Sequence, residues 1–160
     1  MAIGSALQET LLVLDTDVLT AWEYQTPYVL QAIRDYYSRL KQPPALTSIT
    51  VFEALRGFEK VAVKLGGLDE RTQRDRAATE HLIQNCRVLP FDQTAASIAA
   101  YIFPRLSQSE RNKHREDIFI VATALAHGYG VATRNQRDFE LIADHLPHDY
   151  PLLRLDVWKP

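Results

Sequence analysis

Leu11-Leu12-Val13-Leu14-Asp15-Thr16-Asp17-Val18-Leu19 is the stretch whose reading decides the fold. Four consecutive apolar residues run into an aspartate, a threonine and a second aspartate. A short continuous apolar run, rather than an alternating one, reads as a strand buried on both faces. Such strands belong to parallel sheets covered by helices, and these sheets bind ligands outside the carboxyl ends of their strands. Asp15 and Asp17 sit at that end. Two roles are open to them here. Asp15 can anchor an acidic, metal-binding site, or both aspartates can cap the helix that follows, as aspartate commonly does.

Outward from this strand, helix and strand patterns alternate. Val18, Leu19 and Trp22 share a helical face. Pro27 suits the first turn of a second helix, whose apolar positions continue to Leu40, and Pro43-Pro44 stops it. Residues 45–47 read as a second strand. Ser48 or Thr50 can cap the helix after it, where Ile49, Phe52, Leu55 and Phe58 form one stripe. Glu53 is the polar residue in that helix's first turn and a half. Gly66-Gly67 ends it, and a polar, Arg-rich helix begins at Asp69. Residues 87–91 read as a third strand, Asp92 as an N-cap, 95–106 as an Ala-rich helix and 107–115 as a polar, basic loop. Asp117 opens a strongly apolar helix that Gly128 closes. Residues 129–133 read as a fourth strand, 134–139 as a turn into a short helix, and 151–157 as a fifth strand. The pattern predicts an α/β fold: a three-layer α/β/α sandwich with a mainly parallel central sheet of about five strands.

The chain has 160 residues, a formal net charge of −2 and one cysteine. That length suits a single domain, and no Gly/Ser tract, charge block or repeat marks a linker. The expected division is a flexible arm over residues 1–10 and one domain over 11–158. No apolar run approaches the ~20 residues of a membrane span. Residues 1–10 lack the basic start and apolar stretch of a secretory signal. A lone cysteine, Cys86, excludes an intramolecular disulfide and fits a reducing cytoplasm, so the expected location is cytoplasmic. Cys86 itself reads as a small buried residue rather than a nucleophile. The slightly negative charge argues against a protein that merely coats nucleic acid, but not against a nuclease.

Four acids stand out by position: Asp15, Glu53, Asp117 and Asp138. In a parallel sheet, strand ends and the starts of the following helices share one edge, which brings Asp15, Glu53 and Asp138 together. Asp117 joins them only if its helix also starts there, and the simplest topology starts it at the opposite edge. Clustered carboxylates raise one another's pKa unless a cation intervenes. Hard oxygen ligands suit Mg²⁺ or Mn²⁺, and such an ion can activate water for attack on phosphorus. Each acid also has a plainer role, Glu53 as an exposed helical residue and Asp117 and Asp138 as helix caps. Arg111, Lys113, His114, Arg115, Arg134 and Arg137 read as phosphate contacts or as solvated loop. His114 fits a structural role better than that of a catalytic base. Trp22, Tyr24, Tyr36 and Tyr37 fit cores or protein interfaces better than base stacking.

Four segments taken in order carry a resemblance: Leu14 to Leu19 (LDTDVL), Ser48 to Gly57 (SITVFEALRG), His114 to Ala124 (HREDIFIVATA) and Val131 to Phe139 (VATRNQRDF). Together they resemble the PIN domain family and, within it, the VapC-type toxins of bacterial type II toxin–antitoxin systems. The match is collinear over residue 11 to about 155. It implies a Mg²⁺- or Mn²⁺-dependent endoribonuclease that hydrolyses RNA, often tRNA or rRNA, through metal-activated water. It also implies a homodimer inhibited by a cognate VapB-like antitoxin. Asp15, Glu53 and Asp117 would be the core metal ligands and Asp138 the fourth acidic position, with Thr133 and Asn135 shaping the loop. The family often carries Asn two residues after the first Asp; here Asp17 makes the site more acidic and serves as a supporting carboxylate. The first ten residues have no counterpart in a typical member. Two other functions fit less well. A non-catalytic PIN-fold module binding RNA or protein is disfavoured by the presence of all four acids. A haloacid-dehalogenase-like phosphatase using Asp15 needs a downstream paired-acid motif, and no Asp-Asp pair occurs in the chain.

Overall fold

The opening stretch forms β1 (Leu12–Leu14), three residues that are all buried. Leu12 and Leu14 enter one hydrophobic core and Val13 enters another. Successive strand residues point to opposite faces, so an unbroken apolar run is what a strand covered on both sides requires. β1 pairs in parallel with β4 (Gly130–Thr133), and β4 with β5 (Leu155–Val157). β2 (Leu46–Thr47) pairs in parallel with β3 (Val88–Leu89). A parallel bridge between Val13 and Ala45 joins the two sets. Leu14 N donates to Ala45 O and Ala45 N to Leu12 O, each at 2.9 Å. Across that bridge the strands run β3-β2-β1-β4-β5, all parallel, with helices on both faces. This is the α/β/α sandwich of the sequence reading. The computed structural model describes residues 10–160. The arm expected over residues 1–10 lies outside the described residues except for Thr10.

Eight α-helices are present among the described residues: α1 (Thr16–Glu23), α2 (Pro27–Leu40), α3 (Ser48–Leu65), α4 (Glu70–Asn85), α5 (Gln93–Ile102), α6 (Gln108–Lys113), α7 (Arg115–Ala126) and α8 (Gln136–Ala143). α1 and α2 cover the Leu12/Leu14 face, where the buried Tyr36 hydroxyl accepts from Leu12 N at 3.0 Å. α5, α7 and α8 cover the other face. Gly130 is obligatory where β4 starts: a Cβ there would lie 2.7 Å from Arg154 O and 2.9 Å from a Leu12 methyl. No described helix is long and apolar enough to cross a membrane. Cys86 is buried, and burial pushes its thiol up to about 11, which suits an inert packing residue.

Several local expectations change. The expected loop 107–115 contains α6, which begins with a capping box: Glu110 N donates to Ser107 Oγ and Ser107 N to Glu110 Oε1. The Ala-rich helix ends at Ile102 and gives way to a 3₁₀ turn over Phe103–Arg105, because Pro104 cannot continue the ladder. Thr47, not Ser48 or Thr50, caps α3. Ser48 Oγ instead accepts from Phe91 N at 3.0 Å.

The topological obstacle to Asp117 is removed by the sense of α5. His127, just past α7, places Nε2 3.0 Å from Pro90 O and 3.5 Å from Asp92 Oδ2 at the start of α5. At the other end, Phe103 stacks on Phe119 at 5.5 Å. The two helices are therefore antiparallel. The 3₁₀ turn and α6 then carry the chain to the start of α7, beside the carboxyl ends of β1 and β4.

Candidate active site

Asp15 ends β1 and is 3 % exposed. Both of its oxygens are engaged. Oδ1 accepts from Val18 N at 2.8 Å, capping α1, and Oδ2 accepts from Thr133 Oγ1 at 2.6 Å at the end of the neighbouring strand. Of the two roles open to it, the capping one is observed, and the same carboxylate also lines the cleft. Burial pushes its carboxyl up to about 6 against these hydrogen bonds, which favour the charged form.

Glu53 lies on α3, half-buried, with Oε1 accepting from Thr16 Oγ1 at 2.7 Å. Arg56, one turn on, lies 3.8 Å from Glu53 Oε2 and 3.3 Å from Glu116 Oε1. Burial first, then Glu116, raises the Glu53 carboxyl.

Asp117 is the third residue of α7, not its cap; the N-cap position is His114, which makes no side-chain capping bond. Burial comes first in pushing Asp117 up to about 7, followed by repulsion from Asp15, Glu53, Asp138 and Asp17. Asp138 sits in the first turn of α8. Asn135, the true cap there, donates from Nδ2 to Asp138 Oδ2 and accepts Asp138 N on Oδ1. Asn135 N in turn donates to Thr133 Oγ1 at 2.9 Å, so one threonine hydroxyl ties the Asp15 and Asp138 segments together. His114 is buried, with Nδ1 3.6 Å from Asp117 Oδ2 and 3.8 Å from Asp138 Oδ2.

Asp15, Asp17, Glu53, Asp117, Asn135 and Asp138 all line one cleft of about 260 Å³, together with Thr16, Lys113, His114 and Phe139. Asp17 is exposed at its rim. The donor set fits a hard divalent cation: oxygens predominate, and Asp117 carries the mutual repulsion of four neighbouring carboxylates. The tightest grouping of potential ligand atoms is His114, Asp117 and Asp138, within 4.8 Å of one another. That adds a nitrogen donor to the expected set.

The basic residues divide. Lys113 reaches the cleft, and Arg134 and Arg137 line pockets on either side of it. Arg115, the first residue of α7, is exposed. Arg111 points elsewhere: its guanidinium donates to the carbonyls of Phe103 and Leu106 and holds the turn before α6. Sequence reasoning missed Thr16, Arg56 and Glu116. The spacing of Arg56 three residues after Glu53 was the available signal for one of them.

The PIN domain profile matches residues 12–144. The VapC ribonuclease Y4jK of Sinorhizobium fredii (strain NBRC 101917 / NGR234) is 32% identical over 132 residues, covering 81% of this chain and 91% of the relative. Among solved structures, the DNA-bound VapBC of Salmonella typhimurium superposes with a TM-score of 0.71 at 25% identity, covering 94% of this chain and 100% of that one. VapBC-5 of Mycobacterium tuberculosis, a member of the VapBC family of toxin–antitoxin systems, shares the fold with a TM-score of 0.61 at 23% identity, covering 93% of this chain and 99% of that one.

Proposed function

The chain belongs to the PIN domain family, and we propose that it is a divalent-metal-dependent endoribonuclease, the toxin of a VapBC-type toxin–antitoxin pair. The observation that carries this reading is the convergence of Asp15, Glu53, Asp117 and Asp138 on one cleft from four separate elements. The relative Y4jK is a VapC ribonuclease and the Salmonella neighbour a VapBC complex, which supports an RNA substrate and a VapB-like partner. Residues 11–158 act as one domain in this reading. An RNA substrate of this kind places the protein's action in the cytoplasm in this reading.

Asp15, Glu53, Asp117 and Asp138 would hold one or two Mg²⁺ or Mn²⁺ ions. Such an ion supplies Lewis acidity, neutralising charge on the phosphodiester and making water a stronger acid. The chain's own residues supply the positioning. Thr133 and the α1 N-terminus fix Asp15, Thr16 and Arg56 fix Glu53, and Asn135 fixes Asp138. Asp17 stays a supporting carboxylate at the rim. Lys113, Arg115, Arg134 and Arg137 offer cations to the RNA backbone on either side of the acids, which positions the strand without reading its sequence.

The test is cleavage of a structured RNA in Mn²⁺. Wild-type protein should cut and EDTA should stop it. Loss of a partner that merely orients a metal ligand typically costs 10–100-fold, so Asp15→Asn and Asp117→Asn, which alter ligands themselves, should lose more than about 100-fold. Expression should arrest growth, and Asp15→Asn should relieve the arrest. Undiminished cleavage by both variants would refute the assignment.

A further inference from the structure

The acidic cleft opens on both sides into pockets that share its walls. On one side Lys113, His114 and Asp138 continue into a pocket bearing Arg137, with no Phe, Tyr or Trp among its lining. On the other, Asp17 and Asn135 continue into a pocket of about 500 Å³ that adds Tyr28, Arg134, Trp158 and Lys159. The two flanks therefore differ in kind, and one of them pairs aromatic rings with cations.

Those rings are held in place. Trp158 follows β5 and its backbone N–H donates to Thr133 O at 2.8 Å, beside the threonine that orients Asp15. Trp158 and Tyr28 are part-buried against the Leu12/Leu14 core. The Arg134 guanidinium lies 5.6 Å from the Tyr28 ring centroid. Fixed aromatic surface beside a cationic rim is how proteins hold single-stranded nucleic acid.

We propose that this pocket is a nucleotide subsite: Tyr28 and Trp158 stack the base of a nucleotide adjoining the scissile phosphate, and Arg134 and Lys159 hold its backbone phosphate. The inference rests on the ribonuclease reading above and deepens it. An uncompensated carboxylate cluster repels a polyanion, so the strand must be gripped beside the cluster rather than at it. One flank meets both halves of a nucleotide, ring and phosphate; on the other, Lys113 and Arg137 stand among Glu110, Asp138, Glu140 and Asp144 and there is no ring, so it offers a nucleotide much less. The strand then enters with a preferred sense, and a base missing at one position is felt more than at any other.

The experiment measures binding of a labelled single-stranded ribo-oligonucleotide in EDTA, so that it stays uncut, by fluorescence anisotropy. The intact strand is compared with a series carrying a single abasic position. Wild-type protein should lose about tenfold in affinity at one position of the series. Tyr28→Leu and Trp158→Leu should bind the intact strand about tenfold more weakly and lose their sensitivity to that abasic position. Lys159→Ala, an exposed change, should lower the slope of log affinity against log salt by about 0.7. In a Trp22→Phe background, Trp158 fluorescence should be quenched as RNA binds. If Trp158→Leu fails to fold, the wild-type abasic series, Lys159→Ala and the quenching still decide. Equal affinity at every abasic position, an unchanged abasic penalty in Trp158→Leu, or quenching by a protein partner but not by RNA would each overturn the subsite. Absence of RNA cleavage by wild-type protein in Mn²⁺ would instead count against the ribonuclease reading, and cleavage without any abasic penalty against the subsite alone.

Discussion

Thr133 carries more of the site than its size suggests. Its hydroxyl donates to Asp15 and accepts from the backbone of Asn135, so a single buried group fixes the first carboxylate and the loop that presents the fourth. The bond to Asp15 favours the ionised carboxyl. Thr133→Val keeps the shape and removes the hydroxyl. The Asp15 pKa should then rise further above about 6, and Mn²⁺ affinity at neutral pH should fall about 10–100-fold in a calorimetric titration. The unfolding midpoint should drop by the equivalent of ~1–3 kcal/mol for the amide left unpaired. Thr133→Ser should restore both. The position of Asp15 at the carboxyl edge of the sheet was legible from its place at the end of an apolar run. Its double duty was not, because the partner hydroxyl is 118 positions away in sequence. The capping role open to Asp117 and Asp138 is taken by neither: α7 starts at Arg115, two residues before Asp117, and Asn135 outcompetes Asp138 as an N-cap.

At the scale of elements, the five strands and the long helices follow from apolar pattern and from Pro and Gly punctuation. β1 was the clearest, since burial on both faces leaves no polar residue to blur it. α6 was hidden because a six-residue polar helix has no apolar stripe. Its signal was the Ser107-x-x-Glu110 capping box, which needs no periodicity. That box holds the turn that leads into His114 and Asp117. Ser107→Ala should cost ~1 kcal/mol, and in amide exchange α6 should lose protection while β1 and β4 keep theirs. Equal loss throughout the sheet would contradict a local role. The placement of Asp117 could not be reached from the sequence, because the several helices between β3 and β4 leave the direction of each open. The antiparallel contact of α5 and α7 settles it, through His127 at one end and the Phe103–Phe119 stack at the other.

Over the whole molecule, the acidic centre is a cost to the fold that a cation would relieve. Asp15 and Asp117 sit at about 6 and about 7 against an ordinary 3.8. Folded carboxyls with raised pKa hold protons that the unfolded chain has released, so stability falls as pH rises. The effect begins near pH 4 and is complete above about 7. The metal-free protein should therefore melt higher at pH 5 than at pH 8, as far as these groups decide. Asp117→Asn should flatten that difference and raise the midpoint at pH 8 by several degrees, roughly 2–4 °C per kcal/mol for a domain of this size, while abolishing cleavage. Mn²⁺ should raise the wild-type midpoint most at pH 8, because ligand binding to the folded state alone adds stability. A metal-free midpoint that climbs from pH 5 to 8 and is indifferent to Asp117→Asn would contradict the electrostatic account.

The measurement that bears most directly on the carboxylate cluster as an ion site is a titration of Mn²⁺ into the protein at pH 6.5 by calorimetry, repeated in buffers of different ionisation heat. Binding should release protons, because Asp15 and Asp117 are partly protonated there and ligands must shed their protons to bind metal. The proton release should vanish by pH 8.5, and Asp117→Asn should weaken binding more than about 100-fold. No binding heat at either pH, or binding of the same strength in Asp15→Asn and Asp117→Asn without proton release, would contradict the account.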